Sequence, residues 1–382
     1  MSVISITRDG AVAVVTVDNP PVNALSQALR QGLWDAAASL DADPQVRAVV
    51  LLCAGRTFIA GADVTEFGKP PQAPHLPDLV DRIEGAAKPW VAAIHGAALG
   101  GGFEVAMGCR FRVAVEGASV GLPEVGLGIV PGASGTVRTP RLAGVEAAVE
   151  LVTSGKPVRA AKALSLGLLD AVFADDLRAN ALAFAREALT RDLPPPVSAR
   201  PVAAPDDAFW EDRRKAVAKA AKGAEAPLRA LDCLRKAAEA PFAEAMAYER
   251  QTFLDLRGSD QAAALRHVFF AERAAPRPAH LRDVEPLPMR RAGVIGGGTM
   301  GAGIAVGSFI AAGSAAAIAH FLGADDTLAL TLAVKSITAP IAMGTAEQIG
   351  GIPALAAIFA VLTGVTGVAR RVAGPVLVRR DG

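Results

Sequence analysis

Residues 94–132, IHGAALGGGFEVAMGCRFRVAVEGASVGLPEVGLGIVPG, decide the fold. An apolar run at 91–94 is typical of a buried strand, and three consecutive glycines (100–102) and then a helical pattern over 103–107 follow it. Glycines at a strand-to-helix turn let the backbone approach a ligand closely. Because the first N–H groups of a helix have no partner inside it, the segment predicts an α/β arrangement in which a helix start faces a ligand.

Two glutamates belong to this segment. Glu104 falls in the first turn of the predicted helix, and Glu124 lies twenty positions later in a Pro-Glu-Val-Gly loop. Two carboxylates beside backbone donors are the groups that proton transfer next to a carbonyl requires. Spacing alone leaves two alternatives open, since Glu104 could serve the helix dipole or cap and Glu124 could be a solvated loop acid.

A second stretch, RTFIAGADVTE at 56–66, narrows these alternatives. With it, the chain resembles the crotonase (enoyl-CoA hydratase/isomerase) superfamily, and more narrowly the hydratase half of multifunctional β-oxidation enzymes. AGAD at 60–63 and GAALGGGFE at 96–104 match the two oxyanion-hole stretches of that family, and GLPEVGLGIVPG at 121–132 matches its second acid. The resemblance runs from about residue 3 to about 305.

The resemblance implies a fold and an activity. The fold is α/β, a crotonase-type ββα spiral core followed by a helical segment and an apolar, helical C-terminal tail. The activity is addition of water to trans-2-enoyl-CoA to give 3-hydroxyacyl-CoA, a step of fatty-acid β-oxidation. The alternative is a Δ3,Δ2-enoyl-CoA isomerase, and the presence of both acids favours hydration. The residues implied are Glu104 and Glu124 as catalytic acids, the backbones of Ala62 and Gly101 as the oxyanion hole, and Ala60, Gly61, Asp63 and Gly100 as substrate-binding residues.

Several of these side chains have other interpretations. Asp63 is a candidate cap for the helix that follows it. Arg138 and Arg141 are expected to be surface charges, with attraction of CoA phosphates as the alternative. The aromatic pair Phe269 and Phe270 is interpreted as core packing.

Composition shifts along the chain predict its domains. Proline-rich, charge-poor stretches are typical of linkers, and helical patterns follow the first of them. The predicted boundaries are 1–192 for the crotonase domain, 193–207 for a proline-rich linker, 208–274 for a helical segment that packs on the hydratase domain, 275–289 for a second linker, 290–306 for a stub of a dinucleotide-binding fold and 307–382 for an apolar fragment.

The stub rests on a glycine motif. Gly296, Gly298 and Gly301 spell G-x-G-x-x-G after a short apolar run, and in this position the motif resembles the start of a 3-hydroxyacyl-CoA dehydrogenase domain. A dinucleotide fold needs an acid about twenty residues further on, and residues 318–320 read Ile-Ala-His. We therefore expect neither NAD binding nor dehydrogenase activity.

The last segment differs in kind from the body. Residues 292–324 and 349–369 contain no Asp, Glu, Lys or Arg, which is a run of transmembrane length in each case. AVKSITAPIAMGTAEQIGGIPALAAIFAVLTGVTG at 333–367 resembles LrgB-type antiholin-like membrane proteins. We expect membrane association through 307–369. A hypothesis of another class follows, a membrane-anchored LrgB-like protein whose hydratase body is a passenger.

Composition limits the remaining options. The chain has 382 residues and a net charge of +1, so no nucleic-acid partner is indicated. Three scattered cysteines predict a reducing, cytoplasmic compartment without a disulfide framework, and no metal-ligand spacing is present. Hydration requires no cofactor beyond the CoA of the acyl-CoA substrate. The oligomeric state is open, because single-domain crotonases tend to be trimers or hexamers, whereas the helical segment of multifunctional relatives covers its own domain.

Overall fold

The computed structural model describes residues 3–63, 66 and 70–275. All of them belong to one compact unit, Met1–Arg282. Among the described residues, none of the helices is both long enough and apolar enough to cross a bilayer. The predictions for 276–289, 290–306 and 307–382 lie outside the described residues, as do Gly296, Gly298, Gly301 and the apolar stretch 307–369.

Two sheets organise the described chain. Their strands are β1 (Ile4–Asp9), β2 (Val12–Val17), β3 (Ala48–Cys53), β4 (Trp90–Ile94), β5 (Ala97–Leu99), β6 (Phe111–Val115), β7 (Ser119–Gly121), β8 (Val158–Arg159) and β9 (Ala171–Phe173). A six-stranded sheet has the order β1-β2-β3-β4-β6-β9, and a smaller sheet has the order β5-β7-β8. The β1–β2 and β7–β8 pairs are antiparallel, and the other pairs of these nine strands are parallel.

Helices alternate with the strands and then follow them without interruption. Pro123–Leu127 and Val197–Ala199 form short 3₁₀ helices. The α-helices are α1 (Gln27–Ala42), α2 (Leu76–Glu84), α3 (Gly101–Gly108), α4 (Gly135–Ala143), α5 (Val145–Ser154), α6 (Ala160–Ser165), α7 (Leu177–Ala188), α8 (Asp207–Ala221), α9 (Ala226–Glu239), α10 (Phe242–Arg257) and α11 (Asp260–Ala274).

The large sheet is covered on both faces. Every residue of β3, AVVLLC, is buried. Val49 and Leu51 belong to the main hydrophobic core, whereas Val50 and Leu52 pack in a second core that includes Ala181 and other residues of α7. Parallel strands buried on both faces read as continuous apolar runs rather than as alternating patterns, which explains the run predicted as a buried strand.

The four helices α8–α11 pack on the α/β core. The helix α9 contacts α4 and α5, α10 contacts α4 and α9, and α11 contacts the 3₁₀ helix Pro123–Leu127. Trp210, Leu231 and Leu234 of this segment join the main core. The segment therefore reaches the part of the chain that carries Glu124.

The proline-rich stretch 193–207 is held against the body. Val197 is 1% exposed. The backbone N–H of Ser198 donates to Glu84 Oε1 at 3.0 Å, and Arg110 Nη1 donates to the carbonyl of Pro194 at 2.7 Å. These contacts fix a stretch whose composition indicated only a linker.

The expectation that Arg138 is a surface charge is wrong. Its side chain is fully buried, and its Nη2 lies 2.6 Å from Glu84 Oε2 and 2.9 Å from Asp81 Oδ1. The reason is that these two acids, both on α2, supply the countercharge that a buried guanidinium requires. Arg141 is partly buried and donates to the carbonyl of Val137 at 2.7 Å.

The core-packing interpretation of Phe269 and Phe270 is also wrong for Phe270. The two rings meet edge to face with centroids 5.5 Å apart, but 39% of Phe270 is exposed. The helix α11 buries Ala262, near its start, and leaves its later turns at the surface.

Candidate functional site

The turn between β5 and α3 is the base of the site. Gly100 has φ +53°, a conformation that L side chains rarely adopt. A Cβ at Gly102 would lie 2.7 Å from the carbonyl carbon of Ile59 and closer still to its oxygen. Because only glycine fits there, the start of α3 and the 59–63 stretch approach each other directly.

This approach brings together the two predicted oxyanion donors. A Cβ added at Gly101 would lie 3.9 Å from the backbone nitrogen of Ala62. The stretch around Ala62 is held by hydrogen bonds from Leu25 N to Gly61 O at 2.9 Å and from Leu99 N to Ile59 O at 3.2 Å. Among the hydrogen bonds of the described residues, none uses the N–H of Ala62 or of Gly101 as its donor. Both groups are therefore available to an incoming oxygen.

Glu104 is buried and oriented by a neighbouring loop. It is 2% exposed, and its Oε1 accepts hydrogen bonds from Ala133 N and Gly135 N, both at 2.8 Å. The alternative that Glu104 caps its own helix is wrong, because its carboxylate is bound to the 133–135 backbone instead. Burial raises the pKa of Glu104 to about 7, although these two N–H groups and the charges of Arg138 and Arg250 act in the opposite direction.

Glu124 has a different environment. It lies in the 3₁₀ helix Pro123–Leu127, where its Oε2 is buried and has no hydrogen-bond partner among the described residues. A Cβ at Gly100 would come within 2.8 Å of its Oε1. Burial, and then the charges of Glu104 and Glu249, raise the pKa of Glu124 well above its ordinary value. The alternative of a solvated loop acid is therefore wrong.

One cavity of about 580 Å³ is lined by all of the predicted catalytic, oxyanion-hole and substrate-binding residues. Both glutamates and both predicted oxyanion donors line it. The predicted substrate-binding residues do so as well, since Ala60, Gly61, Asp63 and Gly100 are all part of its wall.

The helical segment completes the wall, which the sequence did not indicate. Phe253 and Arg257 of α10 and Phe269 and Arg273 of α11 line the same cavity. The Arg273 guanidinium lies 4.1 Å from the centre of the Phe269 ring. Each pair is four residues apart, a spacing found on any helix face. The sequence pattern therefore does not distinguish these cavity-lining residues from solvent-facing ones.

A further buried acid, Glu249 of α10, is not indicated by the sequence pattern. It is 1% exposed, and burial together with the charge of Glu104 raises its pKa to about 8. In the sequence it stands between Tyr248 and Arg250 in a polar stretch. Only the packing of α10 against α4 shows that it is buried.

The described residues hold no group of three His, Cys, Asp or Glu side chains suited to a metal ion. Cys53, Cys109 and Cys233 are buried free thiols, and burial raises the pKa of each.

Two family models match the chain. The model described as "Enoyl-CoA hydratase/isomerase" matches residues 7–194, and the model described as "LrgB-like family" matches residues 298–380. The second match begins inside the predicted stub 290–306 and covers Gly298 and Gly301. The two resemblances to these families are confirmed, whereas the resemblance of the stub to a dehydrogenase start stays a prediction.

Individual proteins give the same result for the body. A probable enoyl-CoA hydratase of Bacillus subtilis (strain 168) is 46% identical over 176 residues, which cover 44% of this chain and 68% of that protein. The peroxisomal bifunctional enzyme of Danio rerio is 42% identical over 308 residues, which cover 78% of this chain. The chain spans only 42% of the length of that enzyme.

A solved structure supports the fold. The crystal structure of carnitinyl-CoA hydratase from Mycobacterium avium superposes with a TM-score of 0.54 at 29% identity, covering 71% of this chain and 97% of that one. The predicted α/β crotonase fold with a helical segment after it is confirmed for the described residues.

Proposed function

The chain belongs to the enoyl-CoA hydratase/isomerase family, and from that premise we propose that it hydrates trans-2-enoyl-CoA thioesters to 3-hydroxyacyl-CoA, as a step of fatty-acid β-oxidation. The observation that carries this proposal is one cavity lined by the buried Glu104, by Glu124 with its buried Oε2, and by two backbone N–H groups that donate to no acceptor among the described residues. Hydration of a conjugated thioester requires these two kinds of group and no other reactant than water.

The N–H groups of Ala62 and Gly101 would bind the thioester oxygen. When water attacks the β-carbon, electrons of the double bond move toward the carbonyl and negative charge develops on that oxygen. A preorganised donor at such a position stabilises the transition state by about 3 kcal/mol. Removal of the thioester from water inside the cavity strengthens the effect.

The two acids would take different parts in the proton transfers. Glu104, ionised, would orient a water molecule and remove its proton while the water oxygen bonds to the β-carbon. Glu124, protonated, would deliver a proton to the α-carbon as the enolate collapses. The sum is one H and one OH added across the double bond, with the proton count of the carboxyl pair restored by exchange with solvent. Because the two carboxyls interact, their titration belongs to the pair.

This proposal is tested with crotonyl-CoA and the full-length chain. The enoyl-thioester absorbance is expected to disappear with the parent protein, and Glu104→Gln and Glu124→Gln should each slow its loss about a hundredfold or more. The matched control is Glu150→Gln, the same change at an exposed position of α5, which should leave the rate unaltered. A folded parent that does not turn over crotonyl-CoA or a longer trans-2-enoyl-CoA would remove the assignment.

Isomerisation is the second candidate, and it is favoured by the buried Oε2 of Glu124, which has no hydrogen-bond partner within the part of the chain that the structure describes. A Δ3,Δ2-isomerase moves a proton between two carbons and needs only one carboxyl for both transfers. Glu104→Gln separates the two reactions, since hydration would collapse while isomerisation of a 3-enoyl-CoA would retain a substantial part of its rate. Equal loss of both reactions would count against a single-acid isomerase.

For the C-terminal part we propose membrane association through residues 307–369. The support is the match of 298–380 to the LrgB-like family and the absence of charged residues over 349–369. Fractionation of cells that express the full-length chain tests it. The protein should stay with membranes after an alkaline wash and leave them in detergent, and release by the alkaline wash alone would contradict insertion.

A further inference from the structure

Glu249 is a buried carboxylate with three well-defined donors. Its Oε1 accepts the N–H of Ser134 at 2.6 Å. Its Oε2 accepts the N–H of Thr136 at 2.7 Å and the hydroxyl of the same residue at 2.6 Å. All three donors belong to the N-cap and first turn of α4, whereas Glu249 lies on α10, so the contact joins the helical segment to the α/β core.

The same short loop holds Glu104. The N–H groups of Ala133 and Gly135 donate to Glu104, and those of the alternate residues, Ser134 and Thr136, donate to Glu249. Four successive N–H groups, those of residues 133–136, thus donate alternately to two glutamates, and these residues form one strip of backbone shared by both. A displacement of this strip toward or away from α10 changes the position of both donors to Glu104.

The conformation of the strip needs external support. Ser134 has φ +90°, in a region that non-glycine residues rarely occupy. Such strained residues persist only where the surroundings hold them. The hydrogen bond from Ser134 N to Glu249 is one of the contacts that hold this residue, which is fully buried.

We propose that Glu249 is a positioning residue for hydration: by binding residues 134–136 it aims the N–H groups of Ala133 and Gly135 at Glu104 and so fixes the carboxylate that activates water. The inference rests on the proposed role of Glu104. Through this contact the helical segment governs the addition of water while it leaves proton transfer at the α-carbon to Glu124.

All three contacts of the Glu249 side chain are donors, so they favour its ionised form and act against the burial that raises its pKa. Glutamine offers one acceptor oxygen, and its NH₂ group would face an N–H or the hydroxyl of Thr136. Glu249→Gln therefore loses at least one hydrogen bond to the strip while it preserves side-chain volume. Thr136→Val is a milder change, since it removes the hydroxyl donor and keeps both backbone donors.

The test compares two reactions of one site in the full-length chain. The first is hydration of crotonyl-CoA. The second is exchange of the α-protons of butyryl-CoA with D₂O, followed by NMR, which would need Glu124 and the oxyanion donors but no attacking water. We expect Glu249→Gln to slow hydration at least tenfold and α-proton exchange less than threefold, with Thr136→Val giving a smaller change of the same kind.

The matched control is Glu244→Gln on the same helix. Glu244 is an exposed acid paired with Lys236 at 3.3 Å, and both reactions should keep their parent rates in this variant. Equal loss of the two reactions in Glu249→Gln and in Thr136→Val would show a merely structural role and overturn the inference. So would unchanged hydration in folded Glu249→Gln. If the parent itself fails to hydrate any trans-2-enoyl-CoA, the proposed function falls and this inference falls with it.

Discussion

Two regions of the molecule each present one glutamate to the same cavity, and they hold it differently. In the first region, α3 and the 133–136 strip, the Glu104 carboxylate accepts hydrogen bonds from two backbone N–H groups at 2.8 Å. In the second, the 3₁₀ helix Pro123–Leu127, Glu124 keeps one buried oxygen without a partner among the described residues. A carboxylate fixed by hydrogen bonds, like that of Glu104, suits the orientation of a water molecule. A carboxyl with a free oxygen, like that of Glu124, suits proton exchange with a substrate carbon.

The difference also has an electrostatic side. Burial raises the pKa of both acids, but the N–H groups that bind Glu104 offset part of the effect, whereas Glu124 also experiences the charges of Glu104 and Glu249. The hydrogen bonds to Glu104 favour its ionised form, and the neighbouring negative charges favour the protonated form of Glu124. The same residue type thus has two different environments in one cavity, which supports the acid and base roles of the proposed hydration.

The largest loss of hydration activity is expected for Gly102→Ala, because this substitution disturbs both regions. Gly102→Ala puts a methyl group 2.7 Å from the carbonyl carbon of Ile59, so α3 and the Ala62 stretch must move apart. We expect hydration of crotonyl-CoA to fall more than a hundredfold and stability to fall by about 1–3 kcal/mol. The measurements are initial rates and denaturant unfolding of the full-length chain.

The control for this variant is Gly117→Ala, since a Cβ there meets no atom within 4 Å. Near-parent activity is expected for it. A Gly102→Ala protein with parent rates would mean that the approach of the two stretches is not what brings the donors together.

A smaller and more selective effect is expected from Gly100→Ala. The new Cβ would lie 2.8 Å from Glu124 Oε1, so it displaces Glu124 and leaves the bonds to Glu104 in place. We expect a loss of about thirtyfold in hydration and a similar loss in α-proton exchange of butyryl-CoA. This equal loss contrasts with the selective loss expected for Glu249→Gln.

Backbone strain must be separated from this displacement, because Gly100 has φ +53°. Gly10→Ala provides the comparison, since Gly10 has φ +60° and open space around its Cβ position. That variant should lose stability and keep its rates per folded molecule. Equal kinetic loss in both variants would assign the effect to strain alone.

The sequence predicts the residues that are close together in the chain far better than it predicts the long-range contact between Glu249 and the 133–136 strip. The glycine turn, Glu104 and Glu124 lie within thirty-nine consecutive residues, 94–132, and local spacing places them on a strand-to-helix turn and the loop that follows. Glu249 is 115 positions from Ser134. Its burial depends on how α10 packs on α4, and the polar residues next to it in the sequence do not indicate that packing. Arg138 was misjudged for the same reason, because its two acidic partners lie on α2.

The Glu104→Gln variant separates the contribution of Glu104 from that of the coupled pair of carboxyls. Glu104 has a pKa of about 7 in the folded protein against an ordinary value of 4.5. Between these values the folded state binds more protons than the unfolded state, so Glu104 makes stability fall as pH rises from about 4.5 to about 7. A pKa difference of 7 minus 4.5, at about 1.4 kcal/mol per pH unit, corresponds to about 3 kcal/mol. Glu104→Gln has no titrating carboxyl at this position. Its free energy of unfolding relative to the parent should therefore increase by up to about 3 kcal/mol from pH 4.5 to pH 7 and level off above pH 7.

The same carboxyl predicts the pH dependence of the reaction. In the parent, kcat/KM for crotonyl-CoA should fall about tenfold per pH unit below pH 7, because the base must be ionised. An acid limb near pH 4.5, with a pH-independent stability difference, would mean that Glu104 titrates as a solvated acid and that the distinction between the two regions is not electrostatic.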